Sequence, residues 1–106
     1  VFYNRLNSGI SLGSDVTFHY AYAEGLCSVN TPACASDYNT RTHSGLPPGP
    51  ISNVTESALV AAAEPIQSDY SYFVAGDGAD QGKTFFSRTY EEHKANIAAY
   101  CHTSCN

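Results

Sequence analysis

The hydrophobic pattern changes period several times along the chain, and each change marks an element. Val1, Phe2 and Leu6 recur at helical spacing, and Gly9 followed by Ile10 reads as a helix stop, so a helix is expected over residues 1–6. No Ser, Thr, Asp or Asn precedes Val1 as a cap, and the chain is therefore expected to begin inside a helix. Ser14 and Asp15 can cap a second short helix running towards Ala23, with Gly25 ending it. Val16, Phe18, Tyr20 and Tyr22 also alternate as a strand would, but the helix is the favoured reading. Residues 24–50 lose all periodicity. They are rich in Ser, Thr, Asn, Gly and Pro and are expected to form one long ordered loop, a kind of segment that often carries function.

Periodicity then returns. Asn53 with Glu56 three residues on resembles a capping box and predicts a helix through Ala63, ended by Pro65. A strand over 70–75, a Gly- and Asp-rich turn over 76–82 and a return strand over 83–87 predict a hairpin. Thr89 and Glu92 make a second capping box for a helix to about Tyr100, with Tyr90, His93, Ile97 and Tyr100 down one side. The expected fold class is α+β, short helices packed on a small antiparallel sheet whose hairpin lies near 70–87.

Composition narrows the picture. A chain of 106 residues is one domain at most, with a limited core. Hydrophobic residues make up 42% and there are thirteen Phe and Tyr, so the chain is globular rather than disordered. Two Lys and three Arg face ten carboxylates, giving a net charge of −5 and no basic stripe, which argues against nucleic acid as a partner. The apolar run 58–63 is far too short to cross a bilayer and no N-terminal export signal is visible, so any anchor of a parent protein would lie outside these residues. The cysteines fall in two local pairs, Cys27 with Cys34 and Cys101 with Cys105. Three pairings are possible, and the gaps of six and three residues favour two short-loop disulfides over a four-cysteine zinc site or free thiols, and hence an oxidising, extracytoplasmic compartment.

Several clusters carry candidate chemistry. Gly45-Leu46-Pro47-Pro48-Gly49-Pro50-Ile51 is rigid, and by composition alone reads as a stiff turn or a polyproline ligand. Asp37-Tyr38-Asn39-Thr40 combines an aromatic face with an amide and a hydroxyl, the set used for stacking on and hydrogen bonding to sugars, and fits an Asx-type turn equally well. His93 reads as a core histidine. Asp77 and Asp80 depart from calcium-loop spacing and read as a solvated turn. His102 beside Cys101 would suit a metal only if that sulfur were free, and Asn53-Val54-Thr55 matches a glycosylation acceptor whose Asn also explains itself as a cap.

Val1-Phe2-Tyr3-Asn4-Arg5-Leu6, Ser14-Asp15-Val16-Thr17, Tyr38-Asn39-Thr40, the Gly45-to-Ile51 block, Tyr70-Ser71-Tyr72-Phe73-Val74-Ala75 and Glu91-Glu92-His93 follow one another along the chain. In this order and spacing they resemble the successive motifs of the YceG-like endolytic murein transglycosylases. The resemblance implies that residues 1–106 are the C-terminal part of an incomplete catalytic domain. It implies cleavage of MurNAc–GlcNAc bonds within peptidoglycan glycan strands, leaving 1,6-anhydroMurNAc ends, by a carbon–oxygen lyase reaction. There one glutamic acid protonates the glycosidic oxygen and then accepts the C6 hydroxyl proton. Such a single-carboxyl scheme differs from the two carboxylates of ordinary glycosidases.

In the family that glutamate precedes the Tyr-Asn-Arg-Leu helix, so no catalytic residue is expected in this chain, and Glu24, Glu56, Glu64, Glu91 and Glu92 match no such motif. The chain alone is expected to be inactive. By motif match Asn4, Ser14, Asp15, Tyr38, Asn39 and Thr40 are the candidate substrate-binding residues, with Pro47, Pro48 and Gly49 holding the cleft wall. Asp15 serves either as a sugar or glutamate partner or as a helix cap, and Arg5 is expected to be a loop or ion-pair anchor. Asn39→Ala is expected to reduce turnover of the complete enzyme with the fold intact. Val16, Arg41 and Val54-Thr55 depart from the family pattern, and the cysteine pairs lie outside it. No metal or other cofactor is expected. A pyridoxal-phosphate lyase would need a lysine, and Lys83 and Lys94 stand in no supporting motif. The expected partner is peptidoglycan, at the cell envelope, with the parent membrane-anchored near the wall-synthesis machinery and the isolated chain prone to self-association. A non-catalytic glycan-binding or scaffold module is the competing reading.

Overall fold

The computed structural model describes residues 1–103, which divide into two compact units. Arg5–Gln67 forms one; Val1–Asn4 and the chain from Ser68 form the other. The elements are helices α1 (Phe2–Asn7), α2 (Asp15–Ala23), α3 (Glu56–Ala63) and α4 (Tyr90–Tyr100), and strands β1 (Tyr72–Ala75) and β2 (Thr84–Ser87), with a short 3-10 turn over Gly78–Asp80. The class is α+β, as the periodicities predict.

In the Arg5–Gln67 unit, α1 and α2 end by the same device. The Ile10 amide donates to the Arg5 carbonyl at 2.9 Å and Gly9 to Leu6 at 3.3 Å; Leu26 donates to Ala21 at 2.8 Å and Gly25 to Tyr22 at 3.1 Å. This paired pattern needs a left-handed residue after the helix, and Gly9 and Gly25 supply it at φ of 69° and 72°. The strand alternative for residues 16–22 loses because the residues α2 buries are Thr17, Phe18 and Ala21, a helical spacing, while Val16 and Tyr22 face out. Phe18 and Ala21 form a small core with Cys34, and Cys27 and Tyr38 pack against it.

Cys27 and Cys34 are joined as a disulfide, so the zinc alternative is excluded for this pair. Closing so short a loop contributes about 2 kcal/mol through the unfolded chain. The Cys101–Cys105 pairing lies outside the described residues, since Cys105 does. Residues 24–55 contain no helix or strand, in line with the long-loop expectation. Helix α3 starts later than the Asn53 reading predicts, because the cap is Thr55, whose hydroxyl accepts from the Ala58 amide at 3.2 Å. It buries none of its residues within its unit.

In the other unit the hairpin pairs Tyr72 with Ser87, Phe73 with Phe86, Val74 with Phe85 and Ala75 with Thr84. Strand alternation puts Tyr72, Val74, Phe85 and Ser87 on one face, and α4 packs against both strands. His93, buried as expected, stacks on Tyr72 at 5.2 Å, and Tyr100 stacks on Phe85 at 3.8 Å. Thr89 caps α4 by accepting from the Glu92 amide, but Glu92 reaches back to the Arg88 amide at 3.0 Å rather than to the cap's own amide.

Asp77 ties down the far end of α4. Its Oδ2 accepts from the amides of His102 (2.7 Å) and Thr103 (2.8 Å) and from the Thr103 hydroxyl (2.8 Å). These bonds, the His102 amide foremost, hold its carboxyl below the usual carboxylate range. Asp80 pairs with Lys83 at 3.2 Å, so both turn aspartates have protein partners. On the other face of the hairpin, Arg88 lies over the Tyr70 ring and pairs with Asp69 at 2.7 Å, which lowers the Asp69 pKa. Among the described residues no helix is long and apolar enough to cross a membrane.

Candidate functional site

Two distant stretches of the Arg5–Gln67 unit are stitched together by hydroxyls. The Thr40 Oγ1 accepts from the Ser14 amide at 2.9 Å, the Thr40 amide donates to Thr17 Oγ1 at 3.1 Å, and the Thr40 carbonyl accepts from Gly13 at 3.1 Å. Thr17 donates its hydroxyl proton to the Ser14 carbonyl at 2.7 Å, and its oxygen lies 3.0 Å from that of Thr40. Ser14 thus begins α2 through its backbone, with no side-chain capping bond. Asp15 instead pairs with Arg41 Nε at 2.6 Å. Arg41 is therefore the partner of a candidate residue. Arg5 donates to the carbonyls of Ser11 and Leu12, the loop-anchor role expected of it.

Asn39 is completely buried. Its amide nitrogen donates to the carbonyls of Pro32 and Cys34, both at 2.9 Å, and its Oδ1 accepts from the Arg41 amide at 3.0 Å. Thr40 is buried as well. Both side chains spend their polar atoms on protein and offer none to a ligand, so they frame a site rather than face it.

What does face outward is an open depression of about 400 Å³, lined by Leu26, Ala35, Ser36, Asp37, Tyr38 and Pro48. Tyr38 packs its ring against Tyr20 at 5.1 Å, and its hydroxyl lies 3.1 Å from where a β-carbon on Gly49 would stand. A side chain at position 49 would crowd the Tyr38 hydroxyl, so the glycine lets the proline block lie close against the Tyr-Asn-Thr segment. Asp37 is exposed beside His43 Nε2, 3.5 Å from its carboxylate. Leu26, Ser36 and Asp37 were not among the motif-matched residues. Leu26 and Ser36 sit beside or near the cysteines, the one signal in the sequence that would have found them. Pro47 is half-buried next to Pro48.

Asn4 belongs to the other unit, where its amide donates to the carbonyls of Ser68 (2.8 Å) and Tyr70 (2.7 Å) and clips the entry to β1. Among the described residues no three His, Cys, Asp or Glu side chains cluster as a metal site. Lys83 pairs with Asp80 and Lys94 lies over the Tyr90 ring, both at the surface.

The model of the YceG-like family matches residues 1–99. The chain belongs to the YceG-like family. A Bacillus subtilis protein named endolytic murein transglycosylase is 39% identical over an alignment covering 88% of this chain and 26% of that protein. A Streptococcus pneumoniae protein of the same name is 30% identical across the whole chain, which spans 20% of it. A crystal structure of a YceG-like protein from Listeria monocytogenes superposes with a TM-score of 0.77 at 43% identity, covering 89% of this chain and 31% of that one. The chain thus spans between a fifth and about a quarter of the length of these curated family members. Its five glutamates all sit at helix termini: Glu24 and Glu64 close α2 and α3, and Glu56, Glu91 and Glu92 open α3 and α4.

Proposed function

We propose that this chain is the C-terminal part of the catalytic domain of an endolytic murein transglycosylase and supplies a glycan-binding wall for it. The observation that carries this reading is the depression between Leu26, Tyr38 and Pro48 in a YceG-like chain, an apolar and aromatic surface with Ser36 and Asp37 as polar neighbours. Sugar faces stack on such surfaces while carboxylates and hydroxyls take their O–H groups. Tyr38 and Pro48 belong to the wall directly, and Gly49 stands behind it beside the Tyr38 hydroxyl. Ser14, Asp15, Asn39 and Thr40 hold it, and Asn4 and Pro47 act as supports of neighbouring backbone.

The reaction of the complete protein is a carbon–oxygen lysis of MurNAc–GlcNAc bonds that leaves 1,6-anhydroMurNAc, and it requires a carboxylic acid beside the glycosidic oxygen. The carboxyl lining the depression is that of Asp37, which matches no glutamate motif of the family, so the chain by itself is read as binding glycan without cleaving it. The disulfide supports an oxidising compartment, consistent with work at the cell envelope by a parent anchored outside these residues, near wall synthesis.

Titration with chito-oligosaccharides and purified glycan strands tests the wall. Leu26→Ala combined with Asp37→Ala, both exposed positions, is expected to weaken binding by about tenfold or more. Unchanged binding would remove the depression from the site. Sacculi incubated with the chain are expected to release no anhydro-muropeptides, and their release would refute the inactivity.

A further inference from the structure

The Cys27–Cys34 pair lies at the groove. Leu26, which lines one side, is the neighbour of Cys27; Ala35 and Ser36, which line another, follow Cys34 directly. The bond therefore joins covalently the two segments that supply groove walls, holding their cysteine Cα atoms 5.5 Å apart. Cys34 is buried against Phe18 and Ala21, with Cys27 and Tyr38 packed on the same cluster. The carbonyls of Pro32 and Cys34, one inside the bridged loop and one at its end, are the acceptors of both Asn39 amide protons. Asn39 in turn is followed by Thr40, which is bonded to the start of α2, and preceded by Tyr38 in the groove wall. Bridge, Asn39 and groove are thus one connected arrangement.

We infer that the Cys27–Cys34 disulfide is the positioning element of the glycan groove, so that glycan binding depends on the oxidation state of this pair. This rests on the reading of the depression as the glycan wall. Reduction by a dithiol transfers two electrons and two protons to the bond, giving two thiols and the oxidised dithiol. The segment carrying Leu26 is then released from the segment carrying Ala35 and Ser36, and the loop that holds the acceptors of Asn39 gains freedom. A sulfur pair so close to Tyr38 and Leu26 sets wall spacing as well as stability. Oxidising conditions make the groove, and reducing conditions open it.

The test uses the whole 106-residue chain in four forms: oxidised, dithiol-reduced, the Cys27→Ser/Cys34→Ser double variant, and reduced chain re-bridged with a single methylene between sulfurs, which dithiols do not cleave. Chito-oligosaccharide affinity, far-ultraviolet circular dichroism and exchange of the Asn39 side-chain amide protons are read on each. Oxidised and methylene-bridged chains are expected to bind alike. Reduced and double-variant chains are expected to bind about tenfold or more weakly, with retained helix signal and faster Asn39 amide exchange. Dithiol should leave the double variant unchanged, which assigns the effect to this pair rather than to the other cysteines. Equal affinity of oxidised and double-variant chains overturns the inference while leaving the glycan wall intact. A methylene-bridged chain that is folded but does not bind also overturns it, as does general unfolding on reduction, which would make the bridge a folding requirement only. Absence of binding by the oxidised chain instead overturns the glycan reading itself.

Discussion

Each polar atom of the Asn39 side chain has a protein partner in a fully buried setting, and that changes what its mutation should do. Motif matching treats Asn39 as a ligand group whose loss spares the fold. The geometry makes it a brace between the bridged loop and Arg41. Asn39→Ala is expected to cost about 3 kcal/mol, because it leaves two carbonyls and an amide short of partners. Chemical denaturation of the chain measures this; a change within experimental error would return Asn39 to the surface of the site. Arg41 and Thr55 offer the same lesson from the opposite side. Neither was a candidate residue, yet Arg41 pairs with Asp15 and Thr55 caps α3, so each has a structural use.

At the scale of elements, the helix ends were readable from composition and spacing. Gly9 and Gly25 stop α1 and α2 because few other residues adopt their backbone angles without strain, a local rule that needs no tertiary context. The end of α4 is different. There Asp77, from the hairpin turn 25 residues earlier, accepts the His102 and Thr103 amides, a contact no local pattern announces. Its depressed pKa means that this tie is fully present above the ordinary carboxylate pKa of about 4 and is lost as pH falls through the lower folded value. Amide exchange at His102 and Thr103 is therefore expected to accelerate on acidification below about pH 4 beyond the ordinary pH trend, and Asp77→Ala should show the fast exchange at neutral pH. If protection in the variant matches the parent chain, Asp77 does not hold this end.

Over the whole molecule, the features that stand out are apolar residues left uncovered. Helix α3 buries nothing within its unit, and Leu59, Val60 and Ile66 are all strongly exposed. Water-facing apolar clusters of this kind favour association. The isolated chain is expected to elute with a concentration-dependent mass above 11.4 kDa in size-exclusion chromatography with light scattering. Leu59→Glu with Val60→Lys should shift it to the monomer. A monomer at every concentration would show that the exposed helix tolerates water.

By itself the sequence determined the class of the fold, nearly all the elements, the glycine stops and the family, and it favoured without deciding the first disulfide. These follow from local periodicity, φ preferences and residue spacing, which are written in consecutive positions. It also marked Tyr38, Asn39, Thr40 and the proline block as one concern. Only the tertiary structure decided which of them look outward. Burial and hydrogen-bond saturation are properties of neighbours brought together across many residues, so Asn39 and Thr40 became braces, Asn4 a clip on the entry to β1, and Leu26 and Asp37 the groove wall.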